Sequence, residues 1–190
     1  RDEVDRIVEL VDRMGMFAGD APIRHQSVNI HQILDRVLQV SKNGFGRHAR
    51  FITQFDPSLP PVRGNRDQLV QVFLNLIKNA VEAASDEAAE IVMETSYQHG
   101  VRVAAPGNSE RVHLPLTISI TDNGTGIPDD MMPHLFDPFV TSKSQGSGLG
   151  LALVAKIIGD HGGIVECEIA NTRTVFRVML PMFQDREGFE

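Results

Sequence analysis

The sequence holds a single cysteine, Cys167, in 190 residues. One thiol excludes an intramolecular disulfide framework and a cysteine-rich zinc site, and it fits a reducing compartment. Long apolar runs are missing too. The longest, residues 149–158, is broken by Gly150 and Lys156 and is far shorter than the roughly 20 residues a bilayer demands. No signal peptide heads the chain, and no starting Met. It opens Arg1-Asp2-Glu3 in a helical pattern, as expected for a piece of a longer protein. Positive charge is not in excess: 18 Lys and Arg stand against 25 Asp and Glu, a net charge of −7. That argues against a nucleic-acid surface as the main function. There is no internal repeat and no low-complexity segment. Hydrophobic residues make up 42%, enough for one packed domain and part of another.

Residues 1–17 read as helix, with Val4, Ile7, Val11 and Met14 at alternating spacings of three and four. This is either an N-terminal helix lying on its own domain or the last turns of a dimerisation bundle. Gly19, Asp20 and Pro22 break the pattern, and residues 19–28 read as a linker. Asn29 is placed to cap a helix over 30–44, and a strand follows over 51–55. Asn65 caps a helix over 66–84 whose apolar face is Leu69, Val72, Phe73, Leu76, Ile77 and Ala80. Strands are expected over 90–97 and 116–121, with a hairpin connection or insertion over 98–113. Next come a short helix over 130–136, a helix over 148–161, and strands over 164–169 and 174–180 about the turn Asn171-Thr172-Arg173. This order predicts an α+β fold, with antiparallel strands and helices on one face: a two-layer sandwich.

The chemistry concentrates in residues 121–150. Asp122-Asn123-Gly124-Thr125-Gly126 directly follows a strand, and Gly146-Ser147-Gly148-Leu149-Gly150 directly precedes an apolar helix. Glycine lets backbone N–H groups come close to a ligand, and N–H groups at a helix start favour a phosphate. The plain reading is a nucleotide pocket, with a carboxylate at one end and a phosphate loop at the other. Residues 137–147, polar and carrying Lys143, read as a mobile lid. On the helix over 66–84, Asn75 and Asn79 are four apart and Glu82 is three further on, so all three project within one arc. Asn is a poor helix former. A solvated polar face would account for one such residue. The pair also suits Mg²⁺, which takes amide oxygens and keeps several waters.

At this point the motifs resemble a known family. Asn75-Leu76-Ile77-Lys78-Asn79-Ala80-Val81-Glu82-Ala83 resembles the N box of sensor histidine kinases, and Asp122-Asn123-Gly124-Thr125-Gly126-Ile127 their first glycine box. Leu135-Phe136-Asp137-Pro138-Phe139 with Thr141 and Lys143 resembles the F box, and Gly146-Ser147-Gly148-Leu149-Gly150-Leu151 the second glycine box. More narrowly, residues 66–75 and 138–143 look like the nitrogen-regulation kinases of the NtrB type. The resemblance implies a Bergerat (GHKL-type) ATP-binding sandwich over residues 29–182, preceded by the end of a dimerisation helix over 1–18 and followed by a tail over 183–190. It implies ATP and Mg²⁺ as cofactors, with Asp122 accepting the adenine amino group and Gly124 and Gly126 turning the backbone against the base. Asn79 would ligate Mg²⁺ with Asn75 beside it. Lys143 and the amides of Gly146, Gly148 and Gly150 would hold the γ-phosphate side, Thr141 and Leu149 would also belong to the cofactor site, Asn75 and Lys143 would assist transfer, and Thr174 would lie near the adenine.

Two departures stand out: many relatives have Lys where this chain has Glu82, and the last glycine box is replaced by Asn171-Thr172-Arg173-Thr174. None of His25, His31, His48, His99, His113, His134 and His161 has the acid and Asn-Pro or Thr-Pro context of a phosphoacceptor. His31 and His161 read as ordinary surface or helix-end residues. The implied function is therefore a cytoplasmic catalytic domain that donates the ATP γ-phosphoryl group to a histidine in a helical domain of the same protein. An NtrC-type response regulator, a PII-type signal protein and a second copy in a homodimer are the implied partners. Two alternatives share the fold: a GHKL-type ATP hydrolase and a non-catalytic nucleotide-binding module. The hydrolases place a Glu as general base where Asn75 stands, and an amide cannot take a proton from water at neutral pH.

Overall fold

The computed structural model describes residues 25–84, 88–98, 102–104, 111–143 and 146–184. The helix expected over 1–17, most of the linker and the end of the tail lie outside them. Two asparagines start the two longer helices. For α1 (Ile30–Asn43), Asn29 Oδ1 accepts the N–H groups of His31 at 2.9 Å and Gln32 at 3.4 Å. For α2 (Arg66–Ala83), Asn65 Oδ1 accepts those of Asp67 at 3.1 Å and Gln68 at 3.2 Å. Each cap satisfies donors that the first turn leaves orphaned. The third helix, α3 (Gly150–Asp160), starts after Leu149 with no capping side chain and no acid in its first turn. It begins two residues later than expected because Gly148 takes a φ of 67°.

The main sheet has five strands in the order β2 (Arg50–Phe55), β4 (Glu90–Tyr97), β7 (Leu116–Asp122), β9 (Arg173–Leu180), β8 (Ile164–Ala170). Pairing is antiparallel except between β2 and β4, which run parallel. The antiparallel pairing expected of the strands thus holds in this sheet for every pair but β2 with β4. Between those strands the chain makes a long crossover through α2, and a crossover returns a strand parallel to the one it left. Two small sheets flank the main one. β1 (Gln26–Val28) pairs antiparallel with β3 (Val62–Gly64), so the last residues of the expected linker belong to the folded domain. β5 (Arg102–Ala104) pairs with β6 (Arg111–His113), the hairpin expected over 98–113. The short helix expected over 130–136 is a 3-10 turn, Met132–His134, with Pro in its first turn.

One layer of helices covers one face of the sheet. The inward row of β7 is Leu116, Ile118 and Ile120, all fully buried. Register sets them opposite Leu180, Val178 and Phe176 of β9. α2 lies over this row and buries Leu69, Val72, Phe73, Leu76, Ile77, Ala80 and Val81. Burying each large apolar side chain here contributes about 1.5–3 kcal/mol before chain entropy is set against it. α1 and α3 flank α2, the first with Ile33, Leu34 and Val37 and the second with Leu153, Val154, Ile157 and Ile158.

The start of α2 and the end of α3 are tied by one imidazole. His161 is a helix-end residue, as expected, but not a surface one: it is 3% exposed. Its Nε2 accepts the Asn65 N–H at 2.9 Å and its Nδ1 donates to the Ile157 carbonyl at 2.7 Å. An accepting Nε2 carries no proton, so the ring is neutral. Burial depresses its pKa, and the ring of His25, 5.2 Å away, adds to this. His25 is itself depressed by burial and by Arg63. Below about pH 6.5 an unfolded histidine gains a proton that the folded one resists. The stability these rings contribute is therefore complete above about pH 6.5 and is lost as pH falls toward their depressed folded values. Urea denaturation at pH 7.5 and 5.5 is expected to give a lower midpoint at 5.5. His161→Gln, whose amide oxygen can still accept the Asn65 N–H, is expected to flatten that dependence. Parallel pH profiles for the two proteins would refute the assignment.

Candidate functional site

The row Leu116, Ile118, Ile120 continues to Asp122, so the period of the strand points a carboxylate at the helical layer. Asp122 is 1% exposed. Its partners are the Gly124 N–H, which donates to Oδ1 at 2.8 Å, and the hydroxyl of Thr174, its register partner on β9. Burial pushes the carboxyl above the usual range, against these two hydrogen bonds and the charges of Lys143 and Arg173. A buried acceptor held this way recognises a donor group and rejects a ligand lacking it. The loop after it is anchored on both sides. Asn123 accepts the Glu90 N–H at 2.9 Å and donates to the Ala88 carbonyl at 2.8 Å, while the Thr125 N–H donates to the Ala83 carbonyl at 3.2 Å.

Above Asp122 lies a cavity of about 540 Å³ between the sheet, α2, the start of α3 and the loops on either side of the 3-10 turn. This is within the size range of small-molecule sites. α2 presents Asn75, Lys78, Asn79 and Glu82 to it. Asn75 Nδ2 donates to the Gln71 carbonyl at 3.0 Å, which leaves its oxygen facing Gly150 at the start of α3. Asn79 Oδ1 accepts from Lys143 Nζ at 3.4 Å, and the same ammonium pairs with Glu82 at 2.5 Å.

The far wall is the second glycine stretch. Gly148 is in the left-handed region, and a Cβ there would lie 2.5 Å from the Phe139 backbone, so no larger residue fits. The close crossing is fastened by the Phe139 N–H donating to the Gly148 carbonyl at 3.0 Å, with Phe139 itself at a φ of 68°. A bulky residue at positive φ is strained and persists where its surroundings hold it. Behind this crossing, α3 opens toward the cavity through Gly150 and Leu151. Its first N–H groups have no capping side chain, and an uncapped helix start attracts an anion.

The cavity brings together Asn75, Asn79, Asp122, Gly126, Thr141, Lys143, Gly146, Gly148, Gly150 and Thr174. Gly124 and Leu149 do not line it. Gly124 is pressed against the end of α2, where a Cβ would meet the Ala83 backbone at 2.6 Å. Leu149 is buried, its carbonyl accepting the Leu153 N–H at 2.9 Å. Nor are all the loop amides free, since the Gly146 N–H donates to the Lys143 carbonyl at 3.1 Å. Sequence reasoning missed the apolar part of the wall: Ile127, Met131, Leu135, Leu151 and Phe176. The clustering of Ile127, Met131 and Leu135 just after the first glycine stretch was an available signal. Cys167, in register with Phe176 of this wall, has its thiol pushed up to about 12 by burial and by Asp122 and Glu168, which disfavours the thiolate.

Comparison with known proteins places this geometry. The chain is 59% identical over 186 residues to the sensory histidine kinase/phosphatase NtrB of Azospirillum brasilense, covering 98% of this chain and 46% of that protein. It is 33% identical to the protein of the same name from Escherichia coli O157:H7, covering 95% of this chain and 50% of that one. The chain thus spans about half the length of the curated relatives it matches. Among solved structures, full-length ShkA in complex with AMPPNP is 26% identical with a TM-score of 0.74, over 95% of this chain and 37% of that one. The mycobacterial sensor histidine kinase MprB is 25% identical with a TM-score of 0.67, over 83% and 97%. A family model described as histidine kinase-, DNA gyrase B-, and HSP90-like ATPase matches residues 64–184. That match takes in every element around the cavity, and the chain belongs to this family.

Proposed function

We propose that this chain is the ATP-binding catalytic domain of an NtrB-type sensor histidine kinase. It would donate the γ-phosphoryl group to a histidine on a helical domain of the same protein, for onward transfer to an NtrC-type response regulator. The observation that carries the reading is one cavity with a buried carboxylate at one end and an uncapped helix start at the other. Its relatives' names and the AMPPNP complex of ShkA support the nucleotide and the signalling role. The whole protein would work in the cytoplasm, where ATP is available, as a homodimer and with a PII-type signal protein as a further partner.

In this reading Asp122 accepts the amino group of adenine, and Ile127, Met131, Leu135 and Phe176 cover the base. The start of α3 and Lys143 take the phosphates. Asn79 presents its oxygen to an ammonium in the free protein, so it is already set to face a cation. The described residues contain no group of three His, Cys, Asp or Glu fit to hold a metal. Asn79, with Asn75 beside it, would hold a divalent ion in this reading. Mg²⁺ bound this way supplies neutralisation of phosphate charge. The protein supplies position and fixed dipoles rather than covalent chemistry.

Among the described residues the hydrolase alternative finds no free base. The carboxylates lining the cavity there are Asp122, engaged by Gly124 and Thr174, and Glu82, paired with Lys143. Asn75 offers an amide that donates to its own helix.

Three outcomes are expected. With γ-labelled ATP, Mg²⁺ and a separately made helical domain bearing the acceptor histidine, label should appear on that domain; label released as phosphate instead would favour a hydrolase. Without an acceptor, phosphate release should be slow, and Asn75→Glu should raise it, as read in a phosphate-release assay. Asp122→Asn should weaken ATP binding by about tenfold to a hundredfold, the range for a hydrogen bond to a charged group. It should melt no lower than the wild type without nucleotide, because burial opposes the charge that it removes. A thermal melt with and without ATP checks both parts.

A further inference from the structure

Of the two carboxylates that line the cavity among the described residues, Asp122 has a task in the nucleotide reading and Glu82 has none. Glu82 lies one turn beyond Asn79 on α2 and is 39% exposed at its side chain. Its two oxygens face two cations: Oε2 pairs with Lys143 Nζ at 2.5 Å and Oε1 lies 3.9 Å from Lys78 Nζ. The Lys143 ammonium thus sits between a carboxylate and the Asn79 amide oxygen at 3.4 Å. In the free protein this pocket of oxygens already holds a cation. Its charge is supplied by a side chain that arrives from another loop.

We propose that Glu82 is a specificity-determining residue that makes the cavity accept nucleotide as its divalent-metal complex and discriminate against metal-free nucleotide. The proposal rests on the nucleotide reading and extends it. Without metal, a triphosphate would bring up to four negative charges against Glu82, and Lys143 would have to serve both the phosphates and the carboxylate. With a divalent cation in front of Asn79, Glu82 would gain a further positive neighbour beside Lys78, and Lys143 would be released to the phosphates. Every charge then has a counter-charge. Like charges set a few ångströms apart at a half-exposed wall are screened but not silenced. The carboxylate therefore penalises the metal-free form more than the metal complex, which carries fewer net negative charges.

The test is equilibrium binding of ATP by titration calorimetry at fixed ionic strength, once with excess Mg²⁺ and once with EDTA. The ratio of the two affinities is the readout. Glu82→Gln is expected to shrink that ratio by about threefold to fivefold, the scale of a partly exposed charge interaction, chiefly by tightening metal-free binding. Glu82→Asp keeps the charge and should keep the ratio. Lys143→Gln, which leaves Glu82 without its partner, should raise the ratio. Glu94→Gln, on the exposed side of β4, changes overall charge equally and should leave the ratio at the wild-type value. An unchanged ratio in Glu82→Gln, or an equal shift in Glu94→Gln, overturns the proposal while leaving the nucleotide reading intact. Failure of the wild type to bind ATP in either buffer would sink both.

Discussion

A carboxylate at a core position is the constraint to which the rest of the site answers. Asp122 occupies the fourth place in a row whose first three are Leu116, Ile118 and Ile120, and it is as buried as they are. An isolated charge there would be costly. The surroundings meet that cost with the Gly124 N–H and the Thr174 hydroxyl, leaving the carboxyl raised in pKa but still an acceptor. Each partner then needs its own support. Gly124 can lie close because it has no side chain to strike Ala83. Thr174 is delivered by the register of β9 against β7, just after the Asn171-Thr172 turn, whose two residues are at positive φ.

α2 serves the core and the site with different faces of one helix. Leu69, Phe73, Leu76 and Ile77 bury one side, and Asn75, Asn79 and Glu82 project from the other. Because 3.6 residues make a turn, polar groups four and three apart fall into line without disturbing the apolar stripe. The core thereby fixes where the polar groups point. His161 reinforces this from below by holding the Asn65 N–H, so the cap of α2 and the end of α3 move together. The two helices whose facing ends form the cavity share a common anchor.

How legible this was in the sequence depended on the range of the interaction. Caps and periodicities are local, so Asn29, Asn65, the face of α2 and the strand ending in Asp122 could all be read from neighbouring residues. The glycine stretches and paired asparagines, together with Thr141, Lys143 and Thr174 that the family resemblance added, account for the ten of twelve expected site residues that line one cavity. What escaped was set by distant partners. Gln26–Val28 has no pattern of its own and becomes a strand because Val62–Gly64 lies beside it. The parallel pairing of β2 with β4 follows from the crossover, not from either strand. Gly124 and Leu149 belong to motifs, yet the packing of Ala83 and the turn into α3 direct them away from the cavity. His161 gave no sign of burial, since its two partners are backbone groups of Asn65 and Ile157.

The contrast among the three helix starts shows where stability yields to binding. α1 and α2 are closed by asparagine side chains, but α3 opens with Gly150 and leaves its first N–H groups to whatever enters the cavity. A Ser, Asp or Asn cap there would stabilise the fold by about 1 kcal/mol and would fill the donors that a phosphate needs. The glycines around it add a backbone entropy cost and allow the close crossing at Phe139. Both choices weaken the free domain locally. Both are offset when an anion docks on the helix start, because the orphan donors and the ordered loop then gain a partner together. In the proposed reading, nucleotide binding at this wall would complete a helix that the protein chain leaves without a cap.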